Sequence, residues 1–105
     1  MASGILGTAS LTVASTNTVV YTVPTSKTAV VTVSVLNRDS TNYTNIDLAI
    51  SATGAITNTN YIEYQAGVIP NGVLERSGIV LDAGKKIVVG SSNGKTTVTV
   101  WGYEE

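Results

Sequence analysis

The chain predicts an all-β fold: a single antiparallel β-sandwich, jelly-roll or immunoglobulin-like, of seven to eight short strands. Three observations carry this. Apolar residues recur with period two, and no window of useful length shows helical spacing. Gly, Pro, Asn and Asp fall between the alternating segments at the spacing of turns. The most frequent residues include 16 Thr, 15 Val, 10 Ser, 10 Gly and 8 Asn, which favour strands and tight turns.

Each element follows from the same reading. Residues 1–9 carry Ile5 and Leu6 between glycines and read as a flexible N-terminal arm; residues 10–105 read as the sandwich domain. Residues 10–13 and 18–23 are candidate strands, followed by a turn at Pro24-Thr25-Ser26-Lys27, where proline presets φ. Residues 28–37 (TAVVTVSVLN) place Ala29, Val31, Val33 and Val35 on one face, and Val30, Thr32, Ser34 and Leu36 on the other. Residues 45–51 (NIDLAIS) put Ile46, Leu48 and Ile50 inward and Asp47 outward. Residues 60–64, 72–81 and 86–91 are further strands. In 96–103, Val98 and Val100 lie opposite Thr97, Thr99, Trp101 and Tyr103. Pro70-Asn71-Gly72 reads as a turn with Asn or Gly at positive φ. Residues 82–85 and 92–95 read as hairpin turns, and 38–44 and 52–59 as longer polar loops.

Composition narrows the chemistry. The chain has no His and no Cys, and only 13 of its 105 residues are charged. Imidazole is the commonest general base, and thiolate and imidazole are the usual zinc ligands. No catalytic residue, cofactor or metal is therefore expected. The seven carboxylates are scattered over turns, strand faces and the chain end, whereas glycoside hydrolysis needs two facing one cleft. Residues 38–42 (RDSTN) are rich in oxygen but lack EF-hand spacing, and Arg38 sits among the would-be calcium ligands. Asn42-Tyr43-Thr44 matches a glycosylation sequon by chance, because no secretory signal is expected: no cation precedes Lys27 and no long apolar segment follows Met1. A net charge of −1 with dispersed cations argues against nucleic acid. No run approaches the roughly 18 apolar residues of a membrane helix. An intracellular or virion-assembled protein is the simplest account.

The aromatic residues are the remaining candidates: Tyr21, Tyr43, Tyr61, Tyr64, Trp101 and Tyr103. Tyr and Trp bury a ring while keeping a polar tip wet, and both are enriched at interfaces. Trp101 and Tyr103 share one strand face. Tyr61 and Glu63 share another, with Ile62 and Tyr64 opposite. The rings either cap the sandwich edges, form a subunit or partner interface, or supply a carbohydrate platform. The interface candidates are Ile5, Leu6, Tyr61, Tyr64, Trp101 and Tyr103.

Several blocks are distinctive in combination: residues 21–24 (YTVP), 28–37 followed by Arg38, 60–64 (NYIEY), 69–81 (IPNGVLERSGIVL), 82–89 (DAGKKIVV) and 98–104 (VTVWGYE). Together they resemble the small β-sandwich virion structural proteins of tailed bacteriophages, especially those of cyanobacteria and other marine bacteria. The resemblance covers most of the chain, is sharpest in its middle block, and brings no catalytic motif. It implies a capsid decoration (cement) protein in the virion, assembled in host cytoplasm. The implied partner is the major capsid protein, the chain itself as a homo-oligomer, or both, with no nucleic acid or membrane. A tail, neck or fibre accessory module, including an adhesin for a host surface glycan, is the alternative.

Overall fold

The alternating segments become eight strands, with no helix among the described residues: β1 (Ala2–Leu11), β2 (Thr18–Thr22), β3 (Ala29–Asn37), β4 (Thr44–Ser51), β5 (Tyr61–Val68), β6 (Val73–Leu81), β7 (Lys86–Ser91) and β8 (Thr96–Glu104). The computed structural model describes residues 2–105, and the side chains of residues 3–105. Two four-stranded antiparallel sheets face each other, sheet A in the order β1-β8-β3-β6 and sheet B in the order β2-β7-β4-β5. The first strand pairs with the last, the second with the seventh, the third with the sixth and the fourth with the fifth. The chain is thus one long two-stranded ribbon, closed by the β4–β5 hairpin and rolled onto itself. Of the two expected sandwich arrangements, this is the jelly roll.

The period-two pattern sets what goes inside. In β3 the buried Ala29, Val31, Val33 and Val35 alternate with half-buried Val30, Thr32, Ser34 and Leu36. Val98 and Val100 of β8 extend this inner face, and Ile46, Leu48, Ile87 and Val89 meet it from sheet B. Burying each Val, Ile or Leu is worth about 1.5–3 kcal/mol. Tyr21 is the one buried aromatic side chain among the described residues.

The turns hold where the sequence places them, but two of them connect differently. Gly72 N–H donates to the Ile69 carbonyl at 2.9 Å, with Asn71 at φ 58° as the positive-φ residue after Pro70. Lys27 N–H likewise donates to the Pro24 carbonyl at 3.2 Å, with Ser26 at φ 64°. The turns at 82–85 and 92–95, expected as hairpins, instead carry the chain from one sheet to the other. β6 and β7 lie in different sheets, as do β7 and β8. A tight turn fixes only reversal of direction; whether the strands pair or cross is decided by which sheet buries each apolar face.

The largest departure lies at the N-terminus. Residues 2–9, expected as an arm apart from the domain, belong to a ten-residue strand pairing with β8 from Ala2↔Glu104 to Leu11↔Thr96. The Gly/Ser/Ala-rich segment alternates poorly, so its strand character comes from a neighbour's unpaired backbone groups rather than from its own pattern.

Polar ties join the sheets on both open sides. Tyr21 Oη of β2 donates to Glu104 Oε2 of β8. On the other side, Arg76 Nη1 of β6 reaches Glu63 Oε2 of β5 at 2.7 Å. Arg76 is well exposed, so that pair is worth about 0.2–1 kcal/mol.

Candidate interaction surfaces

The outer face of sheet A has an apolar end. Ile5 stands opposite Trp101, and Tyr103 opposite Val30, which in turn faces Val80 on β6. Cross-strand partners point to the same side of a sheet, so these five side chains form one stripe across all four strands, about 14 Å wide at normal strand spacing. Ile5 and Val80 are each 71% exposed and Tyr103 is 41% exposed. Next to the stripe lies a polar cross-strand row of Thr8, Thr99, Ser34 and Glu75, followed by a mixed row of Ser10, Thr97, Leu36 and exposed Val73.

Three of the six predicted interface residues, Ile5, Trp101 and Tyr103, therefore meet on one surface. Leu6 does not join them. β1 carries one extra residue between Ile5 and Gly7, and this bulge turns Leu6 onto the core. Tyr61 and Tyr64 lie elsewhere, on β5 at the edge of sheet B.

The two tyrosines also correct the expected alternation, which put them on opposite faces. β5 slips register twice against β4, between the partners of Ile46 and Leu48 and again between those of Leu48 and Ala49. Gln65 takes up a left-handed φ of 53° there. The slips bring the Tyr61 and Tyr64 rings into edge-to-face contact, with centroids 4.8 Å apart.

Sheet B's outer face differs from that of sheet A. Val88 and Ala49 are buried without belonging to the central core, and they stand in a row with Val19 and Tyr61. The 52–60 loop folds back over this row: a Cβ on Gly54 would lie 3.4 Å from the Val19 side chain. Further along, where Asp47 stands opposite Gly90, the same face opens into a polar depression of about 220 Å³. Asn17, Asn45, Asp47, Gln65 and Ser92 line it over Gly90. Asp47 Oδ1 accepts from Gln65 N at 2.8 Å and from Gln65 Nε2 at 3.2 Å, and Asp47 Oδ2 accepts from Gln65 Nε2 at 3.3 Å.

The oxygen-rich 38–42 segment is a self-bonded loop. Asp39 Oδ1 accepts from Thr41 N at 2.9 Å, Thr41 Oγ1 at 3.1 Å and Asn42 N at 3.1 Å, while Oδ2 accepts from Asn42 Nδ2 at 3.3 Å. The backbone N–H groups of Thr41 and Asn42, first among these, hold the Asp39 carboxyl down to about 2. No group of three or more His, Cys, Asp or Glu able to hold a metal occurs among the described residues.

One structural centre escaped the sequence reading. Asn37 is fully buried at the end of β3. Its Nδ2 donates to the carbonyls of Asn42 at 2.9 Å and of Val68 and Ile69 at 3.2 Å. Its Oδ1 accepts from Asp39 N at 3.0 Å and Asn93 Nδ2 at 3.3 Å. An Asn ending an alternating segment looks like ordinary loop entry, and only its in-phase position, two residues after Val35, marked it as inward.

No protein-family model, no curated protein and no solved structure matches this chain.

Proposed function

We propose that this chain is a non-enzymatic virion structural protein of a tailed bacteriophage, a capsid decoration protein. It seats the outer face of sheet A on major capsid subunits, on further copies of itself, or on both. The observation that carries the reading is the apolar stripe of exposed Ile5, Tyr103 and Val80 with half-buried Trp101 and Val30, gathered from four strands onto one face. Two aromatic side chains within an apolar patch rimmed by Thr and Ser are the anatomy of an interface core and its polar rim. A disulfide-free chain suits folding in a reducing cytoplasm before assembly. Repetition over a symmetric shell lets weak contacts add by multivalency, stabilising the head against internal DNA pressure.

The test is cosedimentation of the purified chain with expanded tailed-phage heads, with tails as the control. Saturable binding to heads at a fixed ratio to capsid subunits, lost in an Ile5→Ser/Val80→Ser double variant, is the expected result. Binding to tails alone would move the protein to the neck, tail or fibre class.

A further inference from the structure

The polar depression on sheet B lies on the face away from the Ile5–Trp101 stripe, and nothing in the decoration reading uses it. At about 220 Å³ it has room for about seven waters at roughly 30 Å³ each, the scale of one sugar ring rather than of a drug-sized ligand. Gly90 lets the Asn17 side chain lie close over the sheet at this site: a Cβ there would lie 2.3 Å from Asn17 Oδ1.

The lining chemistry selects a ligand class. No Lys or Arg lines the depression, so phosphates, sulfates and carboxylates find no counter-charge. A hard cation wants six to eight oxygens, yet Asp47 is the single carboxylate and already accepts three N–H bonds from Gln65. What remains is neutral and two-sided. Among the described residues, no protein group hydrogen-bonds to the side-chain amides of Asn17 and Asn45, which offer N–H donors and carbonyl acceptors. Asp47 Oδ2 keeps one acceptor position, and the Gln65 side-chain carbonyl is also free. Hydroxyl groups, each donor and acceptor at once, match this set. Tyr64, the neighbour of Gln65 on β5, lines a separate depression with Tyr61 and Asn58 and is not part of this set.

We propose that this depression binds a single neutral hexopyranose unit, with Asp47, Asn17, Asn45 and Gln65 bonding its hydroxyls. The inference stands apart from the decoration reading, since the two use opposite faces and either fails alone.

The experiment is a titration of the full ¹⁵N-labelled chain with glucose, galactose, mannose and N-acetylglucosamine, each also as its methyl α- and β-glycoside. Amide shifts are read at Gln65, Gly90 and Ser92. The expected result is saturable movement of these signals by at least one sugar, with a dissociation constant on the order of 1 mM. Glycosides that bind as well as the reducing sugars point to a chain-terminal unit of a glycan; binding of the reducing sugars alone points to a free sugar. Asp47→Ala is expected to weaken binding at least tenfold. Gly90→Ala, which drives Asn17 into the depression, gives a second loss that does not depend on removing a charge. Ile5→Ser/Val80→Ser leaves the affinity unchanged. Well-dispersed spectra of the variants establish that they are folded. Failure of every sugar to move the three signals, or equal movement in Asp47→Ala and Gly90→Ala, overturns the site.

Discussion

Asn37 shows how much one buried amide does in a domain whose loops carry most of its polar side chains. It ties the 38–44 loop, the end of β5 and the β7–β8 turn to one point. Asn37→Ala takes the amide partner from the carbonyls of Asn42 and Val68, from Asp39 N–H and from Asn93 Nδ2, and is expected to cost about 3 kcal/mol, read as a lower urea midpoint. Asp39, next to that hub, sets an acid limit. Its carboxyl titrates at about 2 in the fold, against 3.8 for the free side chain. The depressed value means that the ionised form is favoured by folding. The contribution is complete above 3.8 and is lost as pH falls towards about 2. Asp39→Asn should therefore flatten the acid limb of stability against pH; an unchanged limb would place the acid sensitivity elsewhere. Tyr21 sets the alkaline counterpart. Burial first, then the bond to Glu104 and its negative charge, push the phenol well above its ordinary 10.0. The neutral form is favoured by folding, so this contribution is complete below 10.0 and falls as pH rises beyond it. Tyr21→Phe should remove that alkaline dependence in the same denaturation series.

Two strands show how an element is made by its neighbours. β1 is poor in intrinsic strand pattern yet pairs with β8 over nine partnered positions and covers what would otherwise be a bare edge. Deleting residues 1–9 is expected to lower stability by at least about 3 kcal/mol and to promote aggregation through β8. A deletion variant with an unchanged urea midpoint would show that β1 adds nothing. In β8, Gly102 sits at φ 147°, and a Cβ there would lie 2.0 Å from the Val30 carbonyl oxygen. Backbone cannot step aside as a side-chain tip can, so Gly102→Ala should cost about 3 kcal/mol or more and spread β3 from β8. β5 makes the converse point. Its two register slips, not its sequence pattern, put Tyr61 against Tyr64 and turn Gln65 towards Asp47.

At the scale of the whole molecule, the jelly roll separates two outer faces. Sheet A presents an apolar stripe, whereas sheet B carries the 52–60 loop beside Val19, the Tyr61–Tyr64 pair on its edge strand and a polar depression around Asp47. Ile5 and Val80 are exposed, so Ile5→Ser/Val80→Ser should leave the melting temperature within a few degrees while reducing self-association or head binding at least tenfold. Sedimentation and thermal melting on the same samples separate the two effects. Equal losses in both would mean that the stripe is packing for the fold rather than a surface for a partner.

The sequence by itself determined the class of fold and most of the inner face. Period-two alternation is a local property, and burying one face of β3, β4 and β8 follows from it wherever those strands pair. It also determined the turns, because Pro70-Asn71 and Pro24 to Lys27 dictate φ within four residues. Tertiary structure alone decided which strands became neighbours, that 82–85 and 92–95 cross between sheets, and that residues 2–11 form a strand. It also assembled both candidate surfaces. The stripe joins Ile5 to Val80 across β8 and β3, and the depression joins Asn17 to Gln65 across β7 and β4. Such juxtapositions depend on register between distant segments, and register is set by the summed burial of a whole sheet rather than by any segment's own pattern.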